Sequence, residues 1–181
     1  GAVLISSRAA LAPLKDLSIA RWDKLMNVNT RATLSLAQAA YPALKESRGA
    51  LVAVASMSGM GAHPGMGAYS PSKAALISLC QVLAQEWACD GINVNTVSPG
   101  MIRTPLTQQV YENNKIAKER AALVPWGRVG HPEDISNVIS FLLSPEADYI
   151  TGQNILIDGG FVDSLYSHIP GLPDSSQIDK N

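Results

Sequence analysis

Hydrophobic positions recur along this chain in two rhythms, one typical of helices and one typical of buried strands. Between residues 18 and 48 the apolar side chains return about every 3.6 positions, which predicts a long helix that begins at Ser18 and stops at Gly49. Residues 50–55 (ALVAVA) form a continuous apolar run, as expected for a strand that is buried on both faces of a parallel sheet.

The same alternation of helix and strand continues along the rest of the chain. The pattern predicts an apolar helix over 70–88, a strand over 92–98, a polar helical segment over 105–123, a helix from His131 to about Leu143, and a strand over 154–158. Strands that alternate with helices predict an α/β fold with a parallel sheet. Ligands of such folds bind beyond the carboxyl ends of the strands, so the loops after Ser56 and Ser98 are the first candidates for a site.

Composition changes this picture mainly by exclusion. The 181 residues are 46% hydrophobic and 16% charged, with a net charge of −1, which suits a globular domain and disfavours general binding to nucleic acid or anionic membranes. No apolar run approaches the roughly 18 residues of a membrane span, and no secretory leader is recognised. Cys80 and Cys89 lie too far apart on one predicted helix to form a disulfide, so free thiols and a cytoplasmic location are expected. The sequence contains no Cys/His cluster, and no metal site is predicted.

The candidate chemistry is a tyrosine followed four residues later by a lysine. Both side chains then share one face of a helix, and a nearby ammonium favours the phenolate form, so such a pair can act as general acid and base. The pattern occurs three times, at Tyr41/Lys45, Tyr69/Lys73 and Tyr111/Lys115.

The surroundings of the three pairs differ. Tyr41 lies near a predicted helix end with charged neighbours, and Tyr111 lies in a segment that is polar all round, so both are interpreted as surface or lid residues. Ser98 lies thirteen residues before Tyr111, just as Ser56 lies thirteen residues before Tyr69, so the spacing to a serine does not distinguish these two pairs. Tyr69 and Lys73 open the most apolar helix directly after a glycine-rich loop, where water screens the lysine charge least.

Ser56 strengthens the case for the pair at Tyr69. It ends the buried strand and begins the loop that leads back to Tyr69, so its hydroxyl can hold a substrate oxygen while the tyrosine exchanges a proton. The alternative is a serine that only bonds the backbone of its own loop.

Taken in order, these segments resemble the short-chain dehydrogenase/reductase family. The resemblance rests on MNVNT, VAVASMSG, YSPSK, INVNTVSPGMIRTP, GRVGHPEDI, FLLSPEADYITG and ILIDGG, which extend to about residue 160. It implies a Rossmann-like, doubly wound parallel sheet whose N-terminal βαβ units are absent from this chain. Residues 1–163 are then the C-terminal portion of one domain, residues 105–126 its substrate lid, and residues 164–181 a loosely packed tail.

The resemblance also implies an activity, namely an NAD(P)-dependent oxidoreductase that interconverts a secondary alcohol and a ketone. Tyr69 is then the general acid/base, and Lys73 assists it and bonds the nicotinamide ribose. Ser56 anchors the substrate oxygen, and Asn29 positions a water in a proton relay. The turn after the second predicted strand is expected to contact the cofactor through Pro99, Gly100, Ile102 and Thr104.

Two features of the family do not occur in this sequence, the TGxxxGxG phosphate loop and the residue that selects NAD or NADP. The chain alone is therefore expected to bind either cofactor weakly and to be inactive. Specialisation as a 3-oxoacyl-thioester reductase or a sugar or polyol dehydrogenase stays open, as does an inactive fragment that serves as an oligomerisation module. The expected partners are a small-molecule substrate and further copies of the chain, in a dimer or tetramer formed through helices 18–48 and 70–88.

Overall fold

The fold is built on one parallel sheet, seen in a computed structural model that describes residues 1–5, 9, 11–105 and 107–170. Its strands are β1 (Ala2–Leu4), β2 (Ala50–Val54), β3 (Asn93–Pro99) and β4 (Asn154–Ile157). They lie in the order β1-β2-β3-β4, and every neighbouring pair is parallel. The predicted α/β fold class is confirmed. The three-residue strand β1 was not predicted, because so short a run shows no periodicity of its own.

Six helices connect and cover the strands in the described residues: α1 (Ile19–Met26), α2 (Ala32–Ser47), α3 (Tyr69–Trp87), α4 (Gln108–Glu112), α5 (Asn114–Ala122) and α6 (Pro132–Leu142). The prediction of one helix over 18–48 is wrong in its middle, where residues Asn27–Arg31 form a π-helical turn between α1 and α2. That helix also ends differently from the prediction. Arg48 takes the left-handed conformation at φ 45°, and the N–H of Gly49 donates to the carbonyl of Leu44 at 2.9 Å.

The polar segment predicted as one helix is two helices. Asn113 divides α4 from α5, because its side chain accepts hydrogen bonds from the backbone N–H groups of Lys115 and Ile116, at 3.1 and 3.2 Å. An asparagine in that role begins a new helix rather than continuing the old one. Residue 106 lies outside the described residues, as does the predicted tail from residue 171 onward.

Successive residues of β2 face opposite layers of the molecule. Leu51 and Ala53 pack into a core with α2 and α3, whereas Val52 packs on the other face with Ile135 and Leu142 of α6. Because helices cover both faces, the whole strand is apolar, as the sequence predicts. The carboxyl ends of β2, β3 and β4 then open together at one edge of the sheet, which carries the site described below.

Both cysteines are free thiols, as predicted. Cys80 lies in the core, where burial raises the pKa of its thiol to about 12, and Cys89 is exposed. Within the described part of the chain, no group of His, Cys, Asp and Glu side chains is placed to hold a metal ion. None of the helices seen there has the length and apolar character of a membrane span.

Candidate active site

The first turn of α3 carries Tyr69 and Lys73, next to the carboxyl end of β2. Nζ of Lys73 lies 5.9 Å from the centroid of the Tyr69 ring and donates a hydrogen bond to the carbonyl oxygen of Val54 at 2.9 Å. Val54 ends β2 two residues before Ser56, so the ammonium group lies near the tyrosine ring and is bonded to the strand that leads into the serine loop. The structure thus brings together the pair that helix spacing predicts.

Lys73 is completely buried, although lysine is among the residues that are rarely buried. Burial lowers the pKa of its ammonium group from 10.5 to about 8, because a charged group loses its hydration inside a protein. A buried charge at the ligand-binding edge of a parallel sheet is a feature typical of functional sites.

Ser56 directly follows β2 and begins a short 3₁₀ turn, Met57–Gly59, that packs on α3. Its hydroxyl oxygen accepts a hydrogen bond from the backbone N–H of Ser58 at 3.2 Å, which is the local bond that serines form at loop starts. That bond does not use the hydroxyl proton, which can still be donated to another oxygen. Gly59 makes the close packing possible, since a Cβ at this position would lie 2.9 Å from the carbonyl carbon of Lys73. Gly59 was not predicted as part of the site.

Asn29 lies in the π-helical turn and is completely buried. Its Nδ2 donates to Oγ of Ser72 at 2.9 Å, and Oγ of Ser72 donates to the carbonyl oxygen of Tyr69 at 2.7 Å. Oγ1 of Thr30 donates to the carbonyl oxygen of Ser72 at 2.9 Å. The π-helical turn therefore holds the first turn of α3 through side-chain hydrogen bonds. Ser72 was not predicted as part of this arrangement, although it lies inside the YSPSK segment.

The turn after β3 passes very close to the end of β4. The N–H of Gly100 donates to the carbonyl of Ile157 at 2.9 Å, and a Cβ at Gly100 would lie only 2.5 Å from Cβ of Asp158. The turn that Pro99 begins therefore requires glycine at its next position. Asp158 in turn accepts hydrogen bonds from the backbone N–H groups of Gly160 and Val162, at 2.9 and 2.7 Å.

The remaining two residues predicted to contact the cofactor lie further along the same turn. Ile102 forms a parallel bridge with Gly130, in the loop before α6. The backbone N–H of Thr104 donates to Oγ1 of Thr107 at 2.9 Å, and that hydroxyl also donates to the carbonyl of Ile102. Thr107 and Gly130 thus fix the shape of the turn, and neither was singled out by sequence analysis.

A cavity of about 380 Å³ lies between this turn, the loop after Ser56, α5 and the segment after β4. Its apolar wall includes Met57, Met101, Leu123 and Phe161. The polar groups along it include His63 and Arg120, which were not predicted as site residues.

The pair Tyr41/Lys45 has a structural role. The Tyr41 hydroxyl donates to Oδ2 of Asp90 at 2.5 Å, and Nζ of Lys45 pairs with Oδ1 of the same carboxylate at 2.7 Å. The hydrogen bond to Asp90 raises the pKa of Tyr41, which is the wrong direction for an acid/base at neutral pH. The two side chains tie α2 to the short turn after α3.

In the third pair, the tyrosine is buried and the lysine is exposed. Tyr111 is buried rather than on a polar surface as predicted, and the guanidinium carbons of Arg103 and Arg120 lie 5.4 and 5.6 Å from its ring centroid. Lys115 lies on the exposed side of α5, 4.0 Å from a carboxylate oxygen of Glu119. Ser98 is also buried.

Ser98, which precedes the third pair in the sequence, forms a hydrogen bond that joins two strands. Oγ of Ser98 donates to Oδ1 of Asn154 at 2.7 Å, which links β3 to β4. Of the three tyrosine–lysine pairs, the one at Tyr69 therefore has a buried lysine beside the tyrosine ring.

Comparisons with known proteins find relatives that are named as reductases and dehydrogenases. A family model described as enoyl-(acyl carrier protein) reductase matches residues 3–162. A tropinone reductase homologue from Arabidopsis thaliana, described as chloroplastic, is 37% identical over 149 residues, which are 82% of this chain and 46% of the relative. The 3-oxoacyl-[acyl-carrier-protein] reductase FabG of Thermotoga maritima is 41% identical over 143 residues, which are 78% of this chain and 57% of the relative.

Solved structures show the same fold over most of the chain. A protein from Agrobacterium tumefaciens assigned as a 2-deoxy-d-gluconate 3-dehydrogenase, with bound NADP, aligns at a TM-score of 0.82 with 32% identity, over 89% of this chain and 66% of its own. A 4-hydroxyisoleucine dehydrogenase complexed with NADH aligns at a TM-score of 0.83 with 34% identity, over 89% of this chain and 67% of its own. The chain spans about half the length of the curated relatives that it matches.

Proposed function

Because this chain belongs to the short-chain dehydrogenase/reductase family, we propose that it carries the catalytic residues of an NAD(P)-dependent oxidoreductase that interconverts a secondary alcohol and a ketone. The observation that carries the proposal is the completely buried Lys73 beside the ring of Tyr69. A chain that keeps a charge in its interior loses stability, so a role for that charge is the simplest reason to keep it.

In this proposal Tyr69 is the group that exchanges a proton with the substrate oxygen. In the reducing direction, the carbonyl carbon gains a hydride, the carbon–oxygen double bond becomes a single bond, and the oxygen takes the hydroxyl proton of Tyr69. The positive charge of the Lys73 ammonium, 5.9 Å from the ring centroid, is assigned to stabilise the negative charge that this transfer leaves on the tyrosine oxygen. Proton transfer by a positioned side chain of this kind contributes typically about 10²–10⁴-fold in rate.

Ser56 and Asn29 have supporting roles in the same proposal. The Ser56 hydroxyl donates to the substrate oxygen, where negative charge develops during reduction, and this donation stabilises the transition state. Asn29 positions the water through which protons reach Lys73. The hydrogen bonds from Asn29 and Thr30 to Ser72 support this role, because they hold the helix turn that carries both Tyr69 and Lys73.

The residues at this edge of the sheet fit the nicotinamide and ribose half of NAD or NADP. Lys73 supplies an ammonium for the ribose hydroxyls, and the turn at Pro99 and Gly100 has no side chain at its tightest point. Ile102 and Thr104 lie along the same turn and are assigned to the cofactor with it. When bound, the nicotinamide supplies or accepts the hydride.

Two relatives of known structure carry NADP and NADH respectively, so the proposal names both cofactors. The 181-residue chain contains no TGxxxGxG loop for the pyrophosphate. We therefore expect the chain alone to bind NAD(P) weakly and to be inactive. Titration of the chain with NADH and NADPH, followed by nucleotide fluorescence, tests this expectation, and micromolar affinity would contradict it.

The domain organisation and assembly belong to the same proposal. Residues 105–126 serve as a lid over the substrate, within a domain portion that spans residues 1–163. Leu36 on α2 and Val82 on α3 are about half exposed, which supports assembly of a dimer or tetramer through these helices. The free thiols Cys80 and Cys89 are consistent with a reducing compartment, for which the cytoplasm is proposed.

The substitution Tyr69→Phe tests the proposed function in a full-length protein that contains this chain. Oxidation of NADH or NADPH is followed by absorbance with a panel of ketones, including 3-oxoacyl thioesters and keto sugars. We expect a loss of at least about 100-fold in kcat/KM, because the phenyl ring keeps the packing but has no proton to exchange.

The matched control is Tyr41→Phe, at the equivalent position of the pair that has a structural role. It removes a hydroxyl of the same kind, from a residue bonded to Asp90, and should leave turnover unchanged. Equal turnover in the Tyr69→Phe protein and the unsubstituted protein would refute the role given to Tyr69.

A further inference from the structure

The cavity beside the Ser56 loop has one charged wall residue and otherwise neutral surroundings. Of the described residues that line it, Arg120 alone carries a permanent charge, and none is acidic. Its apolar wall is formed by five residues: Met57, Met101, Leu123, Phe161 and Val162. A neutral, apolar ligand would displace water from the guanidinium group without replacing its hydrogen bonds, which is energetically unfavourable.

Arg120 is half-buried, and no carboxylate among the described residues neutralises its charge. Its guanidinium carbon lies 5.6 Å from the ring centroid of Tyr111, a cation–π contact that does not use the N–H donors, and no hydrogen bond joins those donors to another described residue. Among the described residues, Arg120 forms no ion pair, whereas Arg128 pairs with both carboxylate oxygens of Asp134 at 2.7 and 2.9 Å. The fork of Arg120 therefore remains suited to bidentate binding of a planar anion.

His63 is a second polar residue on the same cavity. Its Nδ1 lies 3.0 Å from Oγ of Ser58, whose backbone N–H donates to Ser56. When the Ser58 hydroxyl donates to Nδ1, the ring proton lies on Nε2, which then serves as a further donor. Met57 and Ser58, which directly follow Ser56 in the sequence, line the cavity at one side, and His63 and Arg120 are hydrogen-bond donors along its wall.

We propose that the substrate is an oxo acid, or the corresponding hydroxy acid, whose carboxylate binds Arg120 while its carbonyl oxygen lies at Ser56 and Tyr69. The inference rests on the proposed oxidoreductase function and names its substrate class. The carboxylate does not react. It orients the substrate, and the apolar wall contacts the carbon chain between the carboxylate and the carbonyl group.

The experiment compares oxo acids with their methyl esters, which keep the carbon chain and the oxo group but lose the negative charge. The probes are straight-chain oxo acids with the oxo group one to three carbons from the carboxylate. In a full-length protein that contains this chain, kcat/KM is measured with NADH and NADPH. Binding of each probe in the presence of oxidised cofactor is measured separately by titration calorimetry.

We expect the best acid to exceed its ester by between about 10-fold and about 100-fold in kcat/KM, as for a hydrogen-bonded charge pair. Arg120→Met should remove this preference while activity on the ester remains, and Arg120→Lys should restore part of it. The matched control is Lys118→Met, which removes a positive charge from the exposed side of the same helix and should keep the preference.

The two readouts separate failure of this inference from failure of the proposed function. Turnover of acids and esters at equal kcat/KM, or an acid preference that persists in Arg120→Met, overturns the carboxylate site and leaves the oxidoreductase intact. Absence of turnover with every ketone overturns the proposed function. In that case, acid binding that Arg120→Met abolishes still supports the carboxylate site, and absence of acid binding overturns it.

Discussion

Replacing the buried lysine is expected to make the protein more stable while it removes the proposed activity. The pKa of the Lys73 ammonium is about 8 in the folded protein and 10.5 in the absence of burial. At about 1.36 kcal/mol for each pKa unit, the charged lysine lowers the free energy of unfolding by about 3 kcal/mol at pH 7. The substitution Lys73→Met keeps a long unbranched side chain and removes this cost.

A loss partly offsets the gain in the Lys73→Met protein. The carbonyl of Val54 loses the ammonium that donates to it at 2.9 Å, at a cost of about 1 kcal/mol. The net increase in the free energy of unfolding should therefore be smaller than about 3 kcal/mol at pH 7.

The sign of the pH dependence follows from which state binds the extra proton. Between about pH 8 and about pH 10.5 the unfolded chain holds the lysine proton and the folded protein does not, so the unsubstituted protein gains stability as pH rises. The advantage of Lys73→Met should accordingly shrink by about 2 kcal/mol between about pH 7 and about pH 10.

Urea unfolding followed by circular dichroism, at several pH values, measures both quantities. Lys115→Met is the control, because that lysine is exposed and its substitution should change stability little at any of these pH values. A Lys73→Met protein that is less stable than the unsubstituted protein at neutral pH, or an advantage that does not shrink at high pH, would refute the reasoning.

Three further predictions concern the framework around the site. Gly59→Ala should lower the free energy of unfolding by about 1–3 kcal/mol in urea titrations, because its Cβ would press on α3, whereas Gly61→Ala, with nothing within 4 Å, should have little effect. Asp134→Asn should lower Tm at neutral pH and reduce the fall of Tm in acid. The hydrogen bond from Arg128 lowers the pKa of the Asp134 carboxyl, so the carboxylate stabilises the fold above its ordinary pKa, and this stabilisation is lost as the pH falls below that value. Iodoacetamide should label Cys89 in the native protein and Cys80 only after unfolding, as mass spectrometry of peptides would show.

The sequence predicts the layers of this fold well, because burial on two faces leaves a strong pattern. β2 is apolar along its whole length, since α3 covers one face and α6 the other. The burial of Lys73, in contrast to the exposed Lys45 and Lys115 of the other two pairs, also follows from local sequence, because Lys73 opens the apolar helix. In both cases the burial is recorded in consecutive residues of the buried element itself.

Features that depend on residues far apart in the sequence are not predicted by a local pattern. The π-helical turn at Asn27–Arg31 interrupts an apolar period that continues through it, and its hydrogen bonds go to Ser72, far away in sequence. Tyr111 sits in a polar segment, yet tertiary packing buries it between two arginines that no local rule brings together. Arg120 reaches the cavity for the same reason: the loops after Ser56 and Ser98, which border the cavity, were predicted as candidates for a site, but this arginine was not.

The sequential strand order has a consequence for how the sheet is made during synthesis. Each strand from β2 onward pairs with the strand that was translated before it, as Ala50 with Asn93 and Thr96 with Asn154. Among the four strands of the described residues, a newly emerged strand therefore finds its partner already outside the ribosome, and no pairing between them has to wait for a later strand to be inserted between two earlier ones. The sheet can grow in the direction of translation, one helix and one strand at a time, with loop-closure costs that rise only slowly with the length of each connection.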